Sequence, residues 1–481
     1  MPAGKPVLFK KTLNKSPILP AGEAMAPSHA ECREIGVSLR YTPWHRRLRY
    51  DPHRAPFDHS DFASNALHGG FIQRFPKIIR AIRQYILLLV SLLAFSGCAS
   101  FVDMTRDLAR DLADIDVAGL SGGLFGGETV VMTEEQIAQL ATIPVARALW
   151  LNGIEESKAT AFSPVVENGT VYAAGMNGYL VRFDSATGKQ AGSVDTKRQL
   201  SGGVGAGEGM LLVGTFKGEV LAYDGKDGKI LWTAQVSTEV LSPPQADSGI
   251  VAVRTGDGRI FSLDAATGKR KWIYQGATPS LTVRSFAGVM ISRNMVFAGF
   301  AGGKLVAINL SNGSAGWEAV VSRPRGATEL ERITDITSLP VADERQICAV
   351  AYQGRVACFE IANGNQIWAR DVSSNAGLAM DDNHVYVSEA GGAVVAYDKR
   401  DGASIWKQEL LNGLRLSPPL VQGNHVVVGD SQGYVNLIRN DTGSIVARSA
   451  TDEGAIITRP TALPDGFVVQ TMKGGLYAFS I

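Results

Sequence analysis

Residues whose types could do chemistry are few in this chain, and most of them stand apart. There are 4 cysteines and 7 histidines in 481 residues. Cys98 ends an apolar run, LLLVSLLAFSGCAS (Leu87 to Ser100), where a thiol could accept acyl groups. Cys348 and Cys358 flank a turn at Gln353-Gly354, so a hairpin built on it would set them across from each other, directly or diagonally. An oxidising compartment permits a disulfide there. Cross-strand geometry is often strained, however, and the favoured reading is two small buried hydrophobes. His384 and His425 each stand alone at a turn before a strand, so neither is expected to bind metal. GGVGAGEGM (Gly202 to Met210) misses the GxGxxG spacing and lies between strands, so it reads as a loop. The chain has no GxSxG, P-loop, His-x-x-x-His or CxxC. No catalytic residue, metal site or cofactor is assigned.

The flanks of Cys98 say what its thiol is for. Arg74, Lys77, Arg80 and Arg83 form a basic lead-in, and a greasy stretch of 10 residues follows from Ile86 to Phe95. That is half of the ~20 residues a membrane-spanning helix needs. A basic start, an apolar centre and a small-residue exit make the layout of a secretory signal. Phe95-Ser96-Gly97-Cys98 resembles a bacterial lipobox, which implies cleavage before Cys98 and acylation of its thiol. One acyl chain holds marginally, whereas two or more anchor stably. Ala99 in place of Asp favours the outer membrane. The reading is therefore a leader over 1–70, a signal peptide over 71–97, and a lipidated Cys98 with a flexible tether over 98–140. The tether contains SGGLFGG (Ser121 to Gly127). The leader reads as an over-long gene start or a disordered extension.

Charge divides the chain at the same place. Residues 1–97 hold 14 Lys/Arg against 6 Asp/Glu, and residues 98–481 hold 33 against 40. The folded part is thus mildly acidic, which argues against nucleic acid as a partner.

From Val171 a phrase recurs, as in LLVGTFKGEVLAYDGKDGKILW and VAVRTGDGRIFSLDAATGKRKW. Its turn glycines, Gly178, Gly218, Gly258, Gly303, Gly354, Gly392, Gly433 and Gly474, lie 40, 40, 45, 51, 38, 41 and 41 residues apart. A period near 40 with several strands per unit means a β-propeller. Trp232, Trp272, Trp317, Trp368 and Trp406 recur at one slot, where a large flat side chain can fill the wedge between blades. Gly192 and Ala447 hold that slot in the first and seventh copies, so those contacts are expected to be thinner. The last copy stops at Ile481 before its Trp strand, and IPVARALW, ending at Trp150, supplies the missing strand. The predicted fold over 141–481 is all-β: an eight-bladed propeller of four-stranded antiparallel blades, its ring closed by an N-terminal strand. Closure removes both open sheet edges.

Two connections exceed what the scaffold needs. From Trp to the next turn glycine the spacing is 31 residues after Trp272 and 37 after Trp317, against 26, 24 and 27 elsewhere. The extra residues hold ATPSLTVRS (Ala277 to Ser285) and SRPRGATELERITDI (Ser322 to Ile336). Adjacent blades should present both on one face, where function tends to be grafted. Leu281, Val283, Arg284, Arg323, Arg325, Glu329, Arg332 and Asp335 mix apolar and charged groups as a protein-binding patch does.

With the lipobox and the Trp-containing blades, the phrases PSLTVR, ATELERITD and VVGDSQGYVNLI resemble the BamB family, the outer-membrane protein assembly factor B lipoproteins. The resemblance covers residues 140–481. It implies a non-enzymatic, lipid-anchored scaffold on the periplasmic face of the outer membrane, within the β-barrel assembly machinery. It also implies docking on a POTRA domain of the central barrel protein BamA, through these two loops. Carried over by motif, Leu281, Val283 and Arg284 come from the first loop, and Asp335 and Thr337 from the second. Val283 stands where the family has Leu, and Thr337 where it has an acidic residue. On this resemblance apolar anchors fill partner pockets while Arg284 and Asp335 set register. Nascent barrel strands would be further partners, met at exposed blade edges. Two rival readings remain: a quinoprotein dehydrogenase, which shares the blade signature, and a propeller lipoprotein of another periplasmic complex.

Overall fold

Short apolar runs separated by glycine turns cannot bury themselves singly, and here they do so by stacking as blades. The structure is a computed structural model that describes residues 132–154, 162–277, 279–283 and 285–481. The leader, the signal peptide and Cys98 lie outside the described residues. Those residues form eight four-stranded antiparallel sheets, each built from strands consecutive in sequence except the last. Blade 3 is representative, with strands Gln245–Asp247, Ile250–Arg254, Arg259–Asp264 and Arg270–Gln275 running from the axis outward. The two middle strands are buried almost throughout, whereas the outermost alternates, because only one of its faces meets a neighbour. Numbered in chain order, the blades span 165–195, 200–235, 245–275, 290–320, 341–371, 377–408 and 420–450. The eighth joins 461–480 to an N-terminal strand, Ala148–Gly153. That strand pairs antiparallel with Gly475–Ser480, Trp150 opposite Ala478, and closes the ring. The predicted fold and its closure are both observed.

The blade tryptophans work through a shared geometry. In every blade the pairing of the third and outermost strands shifts register at the Trp slot. Such a bulge re-aims the side chain that follows it. Each Trp faces a small residue across the pair: Ala478, Ala222, Ser262, Ala307, Cys358 and Ala396 face Trp150, Trp232, Trp272, Trp317, Trp368 and Trp406. All six indole N–H groups donate to a turn carbonyl of the next blade, at 2.7 to 3.1 Å. The ring lies on a glycine of that turn. A Cβ placed on Gly268, whose φ is +68°, would sit 2.7 Å from Trp232.

The two slots without Trp are solved differently. In blade 1 the size order is inverted, and Arg182 lies opposite Gly192. Blade 7 puts Leu437 opposite Ala447 and fills its wedge toward blade 8 with Phe467 and Phe479, stacked at 5.5 Å, together with Ala146. The contact expected to be thin at Ala447 is therefore filled.

Three further expectations need correction. Gly202 to Gly207 belong to the innermost strand of blade 2, Leu200–Gly207, and not to a loop. The glycines are there because the neighbouring blade is too close for side chains: a Cβ on Gly205 would lie 1.8 Å from the Pro244 carbonyl oxygen. Cys348 and Cys358 are directly opposite, with Cα atoms 4.0 Å apart, and are joined as a disulfide rather than packed as free thiols. Part of the expected tether is ordered. A helix, Glu134–Ala141, opens with a capping box between Thr133 and Gln136. Its Leu140 is buried against Leu411, Leu414 and Leu416 at the connection between blades 6 and 7. Beyond it, the Pro144 carbonyl accepts the Arg448 N–H, so the chain straps the outer edge of blade 7 before entering blade 8. Edge strands left open invite unwanted pairing.

Candidate functional site: two paired connections on one face

Outermost strands all end on the same face, so each connection to the next blade begins there. Most of these connections are short. Those after blades 3 and 4 are long, at 276–289 and 321–340. The described residues of the two loops are tied together by one carboxylate. Asp335 is 3 % exposed; its Oδ2 accepts the Val283 N–H at 2.7 Å and its Oδ1 accepts the Gly302 N–H at 2.9 Å. Its own carbonyl accepts the Tyr352 N–H at 2.8 Å. Blades 4 and 5 and the first loop therefore converge on a single residue. A carboxylate suits this because each oxygen takes a separate backbone donor in a strong, charge-assisted bond.

A second, half-buried group stands behind it. Arg254, at the end of the second strand of blade 3, donates from Nη1 to the Gly299 carbonyl, and its guanidinium lies 5.3 Å from the Phe300 ring centroid. Burial pushes this guanidinium down to about 10, while the Asp335 charge opposes the shift. Ile336, 1 % exposed, packs on Gly299 and donates its N–H to the Phe300 carbonyl at 3.3 Å. The base of the second loop is thus core.

The tip of that loop holds its own shape. Glu331 accepts the N–H groups of Ala327 and Thr328 at 2.7 and 3.1 Å, and those bonds hold its carboxyl below the usual range. Ser280 of the first loop reaches Glu329 of the second at 3.4 Å. Three large apolar side chains face solvent, Leu281 at 46 % exposed, Leu330 at 57 % and Phe286 at 36 %, among exposed charged residues that include Arg323, Arg325, Glu329 and Arg332.

The sequence-derived site residues therefore divide. Leu281 is at the surface, and Val283 is half-buried with its N–H committed to Asp335. Arg284 lies outside the described residues. Asp335 and Thr337 are buried, and the Thr337 hydroxyl donates to the Asn375 carbonyl at 3.2 Å toward blade 6. Asp335, expected to set register with a partner, instead sets the register of the two loops. Sequence reading missed Arg254, Phe286 and Leu330. Exposed apolar residues on a long insertion were a usable signal for the last two. Arg254 gave none, because it ends an ordinary repeat strand.

VVGDSQGYVNLI also has a structural explanation. Asp430, fully buried, accepts from Arg448 at 3.4 Å and from Asn436 at 3.1 Å, and Arg448 lies 3.5 Å from the Tyr434 ring centroid. Among the described residues no cluster of three or more His, Cys, Asp or Glu could hold a metal ion.

An eight-bladed, Trp-wedged propeller with one elaborated face defines the class of fold, and comparison with known proteins places the chain within it. The family model described as outer membrane protein assembly factor BamB matches residues 176–408 and 390–481. A protein of that name from Nitrosomonas eutropha is 53 % identical over 403 residues, covering 84 % of this chain and 95 % of the relative. Another, from Pseudomonas aeruginosa, is 45 % identical over 335 residues, covering 69 % and 88 %. The solved structure of BamB from Moraxella catarrhalis is similar in fold, with a TM-score of 0.65 at 24 % identity, covering 70 % of this chain and all of that one. A quinohemoprotein alcohol dehydrogenase from Comamonas testosteroni also shares the fold, with a TM-score of 0.57 at 14 % identity, covering 73 % and 78 %. The chain belongs to the BamB family of outer-membrane protein assembly factors.

Proposed function

We propose that this protein is a non-enzymatic docking subunit of the β-barrel assembly machinery. It is held at the periplasmic face of the outer membrane by lipid on Cys98, and it binds a POTRA domain of BamA through the paired connections after blades 3 and 4. Family membership supports the assembly role. The observation that carries the docking reading is local: two insertions on adjacent blades, locked together by buried Asp335, present exposed Leu281, Leu330 and Phe286. Rigid apolar anchors of this kind bind without a large ordering cost. Within the reading, Leu281, Phe286 and Leu330 enter partner pockets and Arg284 supplies a charged contact. Asp335 and Thr337 act from beneath, by fixing the loops. Other components of the machinery and nascent barrel strands join through this scaffold.

The dehydrogenase alternative rests on fold likeness at 14 % identity, which carries no argument about chemistry. Co-purification tests the proposal. A tag after Ile481 is pulled from gently solubilised outer membranes, for wild type and for Leu281→Asp with Arg284→Glu. BamA is expected with wild type and lost with the variant. Recovery of no barrel-assembly component with wild type would overturn the assignment. A Cys98→Ala chain is expected to leave the membrane fraction.

A further inference from the structure

The turn between the second and third strands of blade 5 lies against the second loop, and it departs from its seven counterparts. In the other blades the turn glycine is left-handed, with φ between +72° and +102°. In blade 5 the left-handed conformation falls one residue earlier, on Gln353 at φ +48°, and Gly354 does not adopt it. A residue with a Cβ is strained at such a φ, and glutamine is not among the types that tolerate it well. Strain of this kind persists where the surroundings over-determine it, and it clusters at functional positions. Here both ends of the second loop close over the turn. A Cβ on Gly354 would lie 2.7 Å from Ser322 Oγ and 2.8 Å from Thr334 Oγ1. The Gln353 N–H donates to Ser373 Oγ at 3.0 Å, which ties the turn to the connection after blade 5. The Gln353 side chain faces the carbonyl oxygens of Leu330 and Ile333. Two acceptors call for the amide nitrogen, which in that orientation donates to them at 3.3 and 2.9 Å.

We propose that Gln353 is a positioning residue of the docking surface, holding the tip of the second loop so that Leu330 stands outward for the partner. Resting on the docking reading above, this role adds a residue that lies outside both loops. The tip is a small turn of its own: the Arg332 N–H donates to the Thr328 carbonyl at 3.2 Å and the Ile333 N–H to the Leu330 carbonyl at 3.3 Å. One amide spans that turn, from Leu330 to Ile333. Asp335 thus fixes the base of the loop and Gln353 its tip. Gln353 is itself exposed, so water competes for its bonds and their loss has a moderate effect.

The test measures binding of the detergent-solubilised mature lipoprotein to purified BamA, with amide exchange and thermal midpoint read on each variant. Gln353→Gly removes the amide and relieves the backbone. It is expected to weaken binding roughly threefold to tenfold and to speed exchange at the Arg332 and Ile333 N–H groups. Its thermal midpoint should be unchanged or higher, because glycine is at ease at this φ; a merely structural role would lower affinity and midpoint together. Gln353→Glu keeps the shape but turns a carboxylate oxygen toward two carbonyls, and is expected to weaken binding further. In a Leu330→Asp chain, Gln353→Gly is expected to change affinity no more, since it acts through Leu330. Undiminished binding by Gln353→Gly would overturn the proposal. So would weaker binding with unchanged exchange, which marks direct contact with the partner, or a full additive loss in the Leu330→Asp chain. Failure of the wild-type chain to bind BamA would overturn the docking reading itself, and this role with it.

Discussion

The connection between blades 6 and 7 and the paired connections after blades 3 and 4 share a face, and they differ in what covers them. At the first, Leu411, Leu414 and Leu416 are buried beneath the chain's own helix, Glu134–Ala141. Gln136 bonds back to the Glu409 and Leu410 carbonyls at 3.4 Å. At the second, Leu281, Phe286 and Leu330 face solvent. Both are outgrowths of the same scaffold position that carry large apolar side chains. One is satisfied in cis, and the other is held rigid and left uncovered. Exposed apolar patches on an otherwise ordered surface mark interaction sites, so the contrast points to the loop pair as the surface meant for another protein.

The contrast can be attacked from either side. Leu140→Ala should cost about 2–5 kcal/mol, as buried leucine truncations do, while leaving docking intact; thermal denaturation and a binding assay on the same variant check both. Asp335→Ala strips two backbone N–H groups of their acceptor and should cost about 1–3 kcal/mol. It should also loosen the loops and weaken docking, although the residue is buried. Faster amide exchange at Val283 and Gly302 would identify that route, and unchanged exchange would refute it. Thr133→Ala, which removes only the helix cap, should cost about 1 kcal/mol and leave binding alone, measurable by denaturant midpoint.

Much of this architecture was readable because the repeat writes it into spacing. The glycine period near 40 and the recurring Trp required a propeller, and the stranded IPVARALW required closure through the N-terminus. What escaped depends on partners remote in sequence. Asp335 reads as a surface acid until Val283, 52 residues away, and Gly302, 33 away, are seen to converge on it. Arg182 and Gly192 exchange the usual sizes of their slots, but the exchange is visible only once the strands are paired. Gly202 to Gly207 read as a loop because they lie between strand phrases and miss the GxGxxG spacing, whereas here the glycines admit a neighbouring backbone. The helix Glu134–Ala141 is only two turns long, so its signal in the sequence reduces to the capping box of Thr133 and Gln136.

The most direct test of the docking account is a calorimetric titration of the unlipidated mature chain with isolated POTRA domains of BamA. Wild type should bind one of them saturably. Leu281→Asp with Leu330→Asp should weaken binding by at least ~2 kcal/mol, roughly 30-fold, as loss of interface anchors does, while Leu140→Ala should match wild type. Undiminished binding by the folded double variant would contradict the assignment of the loop pair as the docking surface.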